Sequence, residues 1–193
     1  MNKTIIVSNR LPLQVKIENN ALNIKPSVGG LATGLKSVHE EGNGIWIGWS
    51  GLTEEELDKD LSNQVNKEVT KAKCATVPLT QDDVDNFYFG FSNKTLWPLF
   101  HYFMEYTEFD NDQWEAYKTV NQKFADVILE NIEDGDTVWV HDYQLLLLPK
   151  LIKDKKPNTT IGFFLHIPYP LMKFLEHFLG VKNCCTVCLE PIF

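Results

Sequence analysis

Positive charge is scarce in this chain of 193 residues: 18 Lys and Arg stand against 26 Asp and Glu, a formal net charge of −8. No basic stripe offsets the acid, which argues against a phosphate-backbone partner such as nucleic acid. A site can still be locally basic for one anionic substrate. Long apolar runs are also lacking. The opening MNKTIIVSNR has too short an apolar run for a signal peptide. The LLLL run at 145–148 is far too short to span a bilayer, so no membrane partner is expected and a cytoplasmic location is the default expectation. Cysteine is sparse and clustered: Cys74 stands alone and the other three fall within 184–193, so no disulfide framework can be read. Cys185-x-x-Cys188 looks like half of a metal or redox site. It lacks a second pair, with only Cys74 and His177 as helpers, and no zinc or other metal is expected. No internal repeat or low-complexity segment is visible.

What is present suits one globular domain. Hydrophobic residues make up 44% and charged residues 23%, which is ordinary for a soluble fold with a sizeable core. KTIIVSNR reads as a short buried strand, Thr4 to Val7, leading into the polar trio Ser8-Asn9-Arg10. The stretch after it is a second strand or a loop. Gly29-Gly30 then opens a helix-like run with Leu31, Leu35 and Val38 on one face. GIWIGWSG is a short aromatic strand. Thr53 and Glu56 form a capping-box pattern, which predicts an exposed helix over LTEEELDKDLSNQV. KCATVPL reads as a strand. Thr80 with Asp83 predicts a second capped helix, and Pro98 suits a new helix start. Trp114, Tyr117, Phe124 and Ile128 lie on one stripe of the clearest helix. GDTVWV and TIGFFL are buried strands, and LLLLPKLIKD between them is long enough for a helical crossover, so the two are expected to be parallel neighbours.

The expected architecture is therefore α/β, a doubly wound, mostly parallel sheet, whose ligands bind outside the carboxyl ends of the strands. Three strands end in polar residues: Arg10, His141-Asp142 and His166. If the strands are parallel, these side chains converge on one rim. Each has a plainer alternative. Arg10 can fork onto a phosphate or sit as a surface arginine. Gly29-Gly30 can admit an anion to backbone N–H groups or make a tight turn. Asp142 can bind sugar hydroxyls, act as a base, or cap the next helix. His141 and His166 can be structural histidines. Trp46, Trp49, Tyr88 and Trp97 can stack on sugar faces or pack in the core.

Seven motifs in order carry a resemblance: VSNRLP, GGLATGL, WIGWSG, FYFGFSNKTLWPLFHY, WEAYKTVNQKFAD, VWVHDYQLLLLP and IGFFLHIPYP. Together they closely resemble the amino-terminal half of the trehalose-6-phosphate synthases, glycosyltransferase family 20, over residues 1 to about 170. The resemblance implies two Rossmann-like domains facing across a cleft (the GT-B arrangement), of which this chain would be the first, incomplete. It implies transfer of glucose from UDP-glucose to glucose 6-phosphate, giving trehalose 6-phosphate and UDP with retention and without metal or other cofactor. It assigns the acceptor phosphate to Arg10 and glucose 6-phosphate contacts to Tyr88 and Trp97, with Trp49 behind them. Asp142 would bind the acceptor's hydroxyls. Gly29 and Gly30 would approach the donor, and His166 would sit near the transferred glucose; Asp142 and His166 are the catalytic candidates. Full-length members can form homo-oligomers. The near alternatives are a glucosylglycerol-phosphate synthase-like enzyme and a non-catalytic sugar-phosphate-binding regulator.

Residues 171–193 depart from the family pattern. Restoring one nucleotide before the codon for Leu171 lets the tail read SYEIFRTFPWRKELLYGLLGADF. The codons for Met172 and Lys173, ATG then AA, force a GAA codon, which is the family's Glu. The expectation is a domain over 1–170 followed by a frameshifted tail over 171–193, with a genuine alternative tail or coincidence as the competing accounts. Without the second domain, which in the family supplies positive charge to the departing UDP, the chain alone is expected to be poorly stable and inactive.

Overall fold

A computed structural model of the chain describes residues 2–18 and 21–169. The expected boundary after residue 170, the tail and the Cys185–Cys188 pair lie outside the described residues.

Five strands form one parallel sheet: β1 (Thr4–Arg10), β4 (Ile45–Trp49), β5 (Cys74–Thr76), β6 (Thr137–His141) and β7 (Thr160–Phe164). Two more, β2 (Leu13–Glu18) and β3 (Ala21–Pro26), make a separate antiparallel hairpin. The order in the sheet is β5-β4-β1-β6-β7. The chain winds outward from β1 in one direction, then returns and winds out in the other, so β1 and β6 flank the topological switch point. The central runs IIV and VWV suit this place, because strands covered on both faces read as near-continuous apolar and β-branched segments.

The faces are covered unequally. Ile5, Val7, Ile47, Val138 and Val140 enter the larger core, with Tyr117, Phe124 and Ile128 of α6 (Asn111–Asn131) and Ile152 of α7 (Leu148–Lys155). Ile6 and Trp46 point the other way, into a smaller cluster with Val15 of the hairpin and Val65 and Val69 of α3 (Lys59–Lys71). Burying each such side chain contributes about 1.5–3 kcal/mol. Helix α6 precedes β6, and the crossover between β6 and β7 is the helix α7, as the sequence spacing predicts.

Four local expectations are corrected. The strand expected to stop at Val7 runs on to Arg10. The segment after it is a full hairpin rather than a single strand or loop. The capping box at Thr53 and Glu56 forms, with the Thr53 N–H donating to the Glu56 carboxylate at 2.8 Å, but it closes only one 3-10 turn, Glu54–Glu56. Leu57 is extended, and α3 starts afresh with Asp58 as its cap, accepting from the Leu61 N–H at 2.8 Å. The run after Gly29 breaks into α1 (Gly30–Gly34) and α2 (Lys36–Glu41), as an interior glycine encourages, and Val38 is exposed rather than on a buried face. The second capping box, Thr80 with Asp83, opens α4 (Gln81–Asp83), which runs on through a π-type segment over Val84–Leu96, kinked at Gly90 (φ −75°, ψ −107°), and then α5 (Trp97–Phe100).

Candidate active site at the strand tips

The tip of β1 is bent before it reaches the rim. Val7 pairs with Ile47 and Arg10 with Trp49, so β1 uses three steps where β4 uses two, a bulge of one residue. Bulges of this kind re-aim side chains beside active sites. Gly48 permits it: a Cβ there would lie 2.8 Å from the Ser8 carbonyl oxygen and 2.9 Å from the backbone of Arg10 and Leu11. The Ser8 hydroxyl knots the bend, donating to the Arg10 carbonyl and accepting from Trp46 Nε1, both at 2.7 Å.

The bulge lays the Arg10 guanidinium 4.2 Å over the Trp49 ring. That indole is fixed in turn by donation from its Nε1 to the Leu52 carbonyl at 2.8 Å. Among the described residues the ion pairs are all made by lysines, and Arg10 has no carboxylate partner. Burial lowers the Arg10 pKa, with Tyr88 acting the other way, and an arginine remains a cation regardless. A planar, unpaired guanidinium at a strand tip is suited to forking onto a phosphate.

At the tip of β6, Asp142 adopts φ +77° and ψ 168°. This is a region used almost only by glycine and costs about 1–3 kcal/mol for another residue. The surroundings hold it there. Its N–H donates to the Phe164 carbonyl at 2.8 Å, and its Oδ1 accepts from the N–H groups of Tyr143 at 3.0 Å and His166 at 3.4 Å. Asp142 is therefore a cap, of the 3-10 turn Tyr143–Leu145, and both bonds use Oδ1, which leaves Oδ2 for a ligand. From below, the buried Tyr117 hydroxyl donates to the Tyr143 carbonyl at 2.7 Å and accepts from the Leu146 N–H at 3.1 Å. Asn121 donates to the Gln144 carbonyl at 3.0 Å. The Tyr143 hydroxyl reaches Asn93 in the π-type segment at 3.0 Å, tying that segment to the rim.

Between the two tips lies a cleft of about 250 Å³. Of the residues singled out in the sequence, Arg10, Gly29, Trp46, Tyr88, His141 and Asp142 line it. Four do not. Trp49 lies behind Arg10, and Gly30 follows Gly29 as the first residue of α1. His166 touches the site through His141 and Asp142. Trp97 is outside the lining: the residue is 40% exposed and its ring stacks on His101 at 4.2 Å. A Cβ at Gly30 would meet nothing within 4 Å, so packing does not explain that glycine, any more than it explains Gly34.

Sequence reasoning passed over Asn9 and Gln144. The signal for Asn9 is its place in the polar trio that ends an apolar run. Asn9 Oδ1 and His141 Nε2 are buried and have no hydrogen-bond partner among the described residues. Such orphaned groups mark strained or functional places. Among the described residues, no group of three or more His, Cys, Asp or Glu could hold a metal ion, and no helix is long and apolar enough to cross a membrane.

Comparison with known proteins gives this rim its context. The family model described as glycosyltransferase family 20 matches residues 2–178. An α,α-trehalose-phosphate synthase [UDP-forming] A of Dictyostelium discoideum is 40% identical over 194 aligned positions, covering 96% of this chain and 26% of that protein. The crystal structure of a UDP-forming α,α-trehalose-phosphate synthase from Burkholderia xenovorans in complex with glucose-6-phosphate superposes with a TM-score of 0.72 at 31% identity, over 97% of this chain and 38% of that one. An E. coli structure described as bound with UDP-2-fluoro glucose gives a TM-score of 0.72 at 32% identity, over 97% and 37%. The chain thus spans between a quarter and two fifths of the length of these relatives, and they share its Rossmann-like sheet. A family model that runs through every strand of that sheet, from β1 to β7, leaves one conclusion: the chain belongs to glycosyltransferase family 20.

Proposed function

We propose that the strand-tip cleft is the acceptor side of a trehalose-6-phosphate synthase, the part that holds glucose 6-phosphate for glucosylation by UDP-glucose. The observation that carries the reading is the meeting of Arg10 and Asp142 in one cleft at the switch point of the sheet. The Arg10 guanidinium takes the phosphate. Asp142 Oδ2 and the orphaned Asn9 Oδ1 accept from sugar hydroxyls, and Tyr88 forms a wall. The Burkholderia relative, described in complex with glucose-6-phosphate, supports the same ligand class.

The chemistry asked of these residues is orientation. In the transfer, the anomeric hydroxyl oxygen of the acceptor forms a bond to C1 of the donor glucose. The bond from C1 to the UDP oxygen breaks, and the hydroxyl proton leaves with the UDP. Fixing the phosphate at Arg10 and the ring hydroxyls at Asp142 holds the nucleophile in one pose, which removes orientational entropy from the barrier. Gly29 and Gly30 admit the donor closely, since no side chain of their own stands in the way.

Calorimetry on the purified chain tests the reading. Glucose 6-phosphate is expected to bind, and glucose to bind at least about tenfold more weakly, since a charge-assisted phosphate contact is worth about 1.5–3 kcal/mol. Equal affinities for the two sugars would remove Arg10 from the proposed role.

A further inference from the structure

His141 is the least exposed polar residue of the rim, and the assignments above give it no task. It is 1% exposed, and its Nδ1 lies 3.1 Å from His166 Nε2. The two rings are stacked, 5.3 Å between centroids and 25° between planes, with the Trp139 ring 4.8 Å from His141. The same pair of tips is joined twice more, by the His166 N–H on Asp142 Oδ1 and by the Asp142 N–H on the Phe164 carbonyl. One proton fits between the two facing nitrogens. Either His141 Nδ1–H donates to His166 Nε2, or the reverse. The reverse arrangement puts the His141 proton on Nε2, a buried atom with no acceptor among the described residues. A buried N–H without a partner is rarer and more costly than a bare acceptor lone pair. The first arrangement is favoured.

We propose that His141 is a positioning residue for His166: its Nδ1–H donates to His166 Nε2, fixes that ring's tautomer, and leaves the His166 Nδ1–H as the donor offered to a sugar oxygen at the rim. The identity of the recipient as a sugar rests on the function proposed above; the tautomer does not. Burial, reinforced by His166, pushes the His141 pKa down to about 4, so His141 is neutral near pH 7 and the bond needs only one proton. Among the other ionisable groups at the rim, Asp142 engages the His166 backbone through Oδ1, and Tyr143 follows it with its hydroxyl on Asn93. Second partners of this kind set which nitrogen of a histidine is protonated.

Two-bond nitrogen–proton correlation spectra of the ¹⁵N-histidine-labelled chain at neutral pH read both tautomers directly. The expected result is His141 protonated at Nδ1 and His166 bare at Nε2. A proton on His166 Nε2, or a mixture at that ring, overturns the proposal. In His141→Asn, whose amide N–H stands near the place of Nδ1–H, the His166 tautomer is expected to persist. In His141→Phe the tautomer ratio at His166 is expected to relax by about tenfold, the worth of one such bond. An unchanged His166 in His141→Phe would reduce His141 to packing, and the wild-type spectrum decides the matter even if that variant does not fold. Glucose 6-phosphate calorimetry on the same sample separates the two ideas. Absent heat with the expected tautomers removes the acceptor reading alone, whereas binding with a mixed His166 removes the histidine proposal alone.

Discussion

A cavity beneath the β2–β3 hairpin and the cleft at the strand tips share Pro12, Ser27, Ala32 and Trp46 in their walls, and differ in almost everything that bears on chemistry. The cavity is the larger, about 580 Å³ against about 250 Å³. Its cations are already engaged: Lys36 with Glu40 at 3.8 Å, Lys71 with Glu68 at 2.6 Å, and Lys73 with the carbonyls of Glu40 and Gly42 at 3.0 Å. Burial pushes its Cys74 thiol up to about 12, which makes it inert as a nucleophile. Its one left-handed residue, Lys73 at φ +53°, follows the end of α3, where such a conformation is routine. The cleft instead has an arginine without a carboxylate and an aspartate in a glycine conformation; it has two orphaned polar atoms, against one in the cavity wall, His39 Nδ1. Size does not distinguish a site from a void here. An uncommitted cation and held strain do, because each needs a reason that packing alone does not supply; an orphaned atom by itself does not, since the cavity has one too.

Acid should separate the two regions most. His39 in the cavity and His141 in the cleft both have lowered pKa values, chiefly from burial, with His141 at about 4 against an ordinary 6.5. A folded pKa below the unfolded one means the unfolded chain binds more protons. The stability due to His141 is whole above pH 6.5 and is lost as pH falls toward 4, on the order of 3 kcal/mol in all. Urea unfolding of wild type and His141→Asn across this range isolates it. His141→Asn is expected to flatten most of the slope in that window, and His39→Asn a smaller part. A larger effect at His39 would reverse the contrast between the regions.

Arg10→Ala comes next. It is expected to weaken glucose 6-phosphate binding about 100-fold in calorimetry, the loss of a charge-assisted phosphate contact, with little change in unfolding midpoint. Lys71→Ala at the cavity is expected to leave binding unchanged. Gly48→Ala follows. Its new methyl would press on the backbone of Ser8, Arg10 and Leu11, so a cost of about 1–3 kcal/mol is expected. Binding should weaken in proportion as Arg10 is displaced. Lost stability with unaltered binding would mean that the bulge does not aim Arg10.

The contrast also shows which levels of the site are legible in sequence. The strands are, because IIV, VWV and IGFF are short, apolar and punctuated, and a helical crossover makes parallel neighbours. From there the meeting of Arg10, Asp142 and His166 near one rim follows from topology. The bulge is not legible, since it depends on Gly48 of one strand facing Ser8 and Arg10 of another. Nor is the contact of His141 with His166, which arises from the pairing of His141 with Phe164 across two strands. The hairpin left a trace, as Leu13, Val15 and Ile17 alternate with Gln14, Lys16 and Glu18 at the period of a strand. The false helix start at Thr53 has another cause: two good caps, Thr53 and Asp58, lie five residues apart, and only the burial of Val65 and Val69 chooses between them. Trp97, which the resemblance assigns to glucose 6-phosphate, lies outside the lining of the cleft.

Asp142 allows the smallest and sharpest comparison, between two replacements at one position. Asp142→Ala removes the side-chain cap and still sets a Cβ on the tip that the wild type holds at φ +77°. Asp142→Gly removes the same cap and releases the strain, at the expense of greater chain entropy when unfolded. Both should weaken glucose 6-phosphate binding alike, since neither retains a carboxylate. Their stabilities should differ, with glycine above alanine by about 1 kcal/mol or more, which urea midpoints at pH 7 can resolve. Equal midpoints would mean that alanine lets the tip relax to an ordinary conformation, so that the aspartate's own bonds to Tyr143 and His166 impose the geometry. A gap would mean that the fold imposes it, through the Phe164 bond and the Tyr117 and Asn121 supports, whatever side chain stands there. On that outcome the carboxylate is held by the scaffold rather than holding it, and a residue that destabilises its own backbone is retained for what its free oxygen binds.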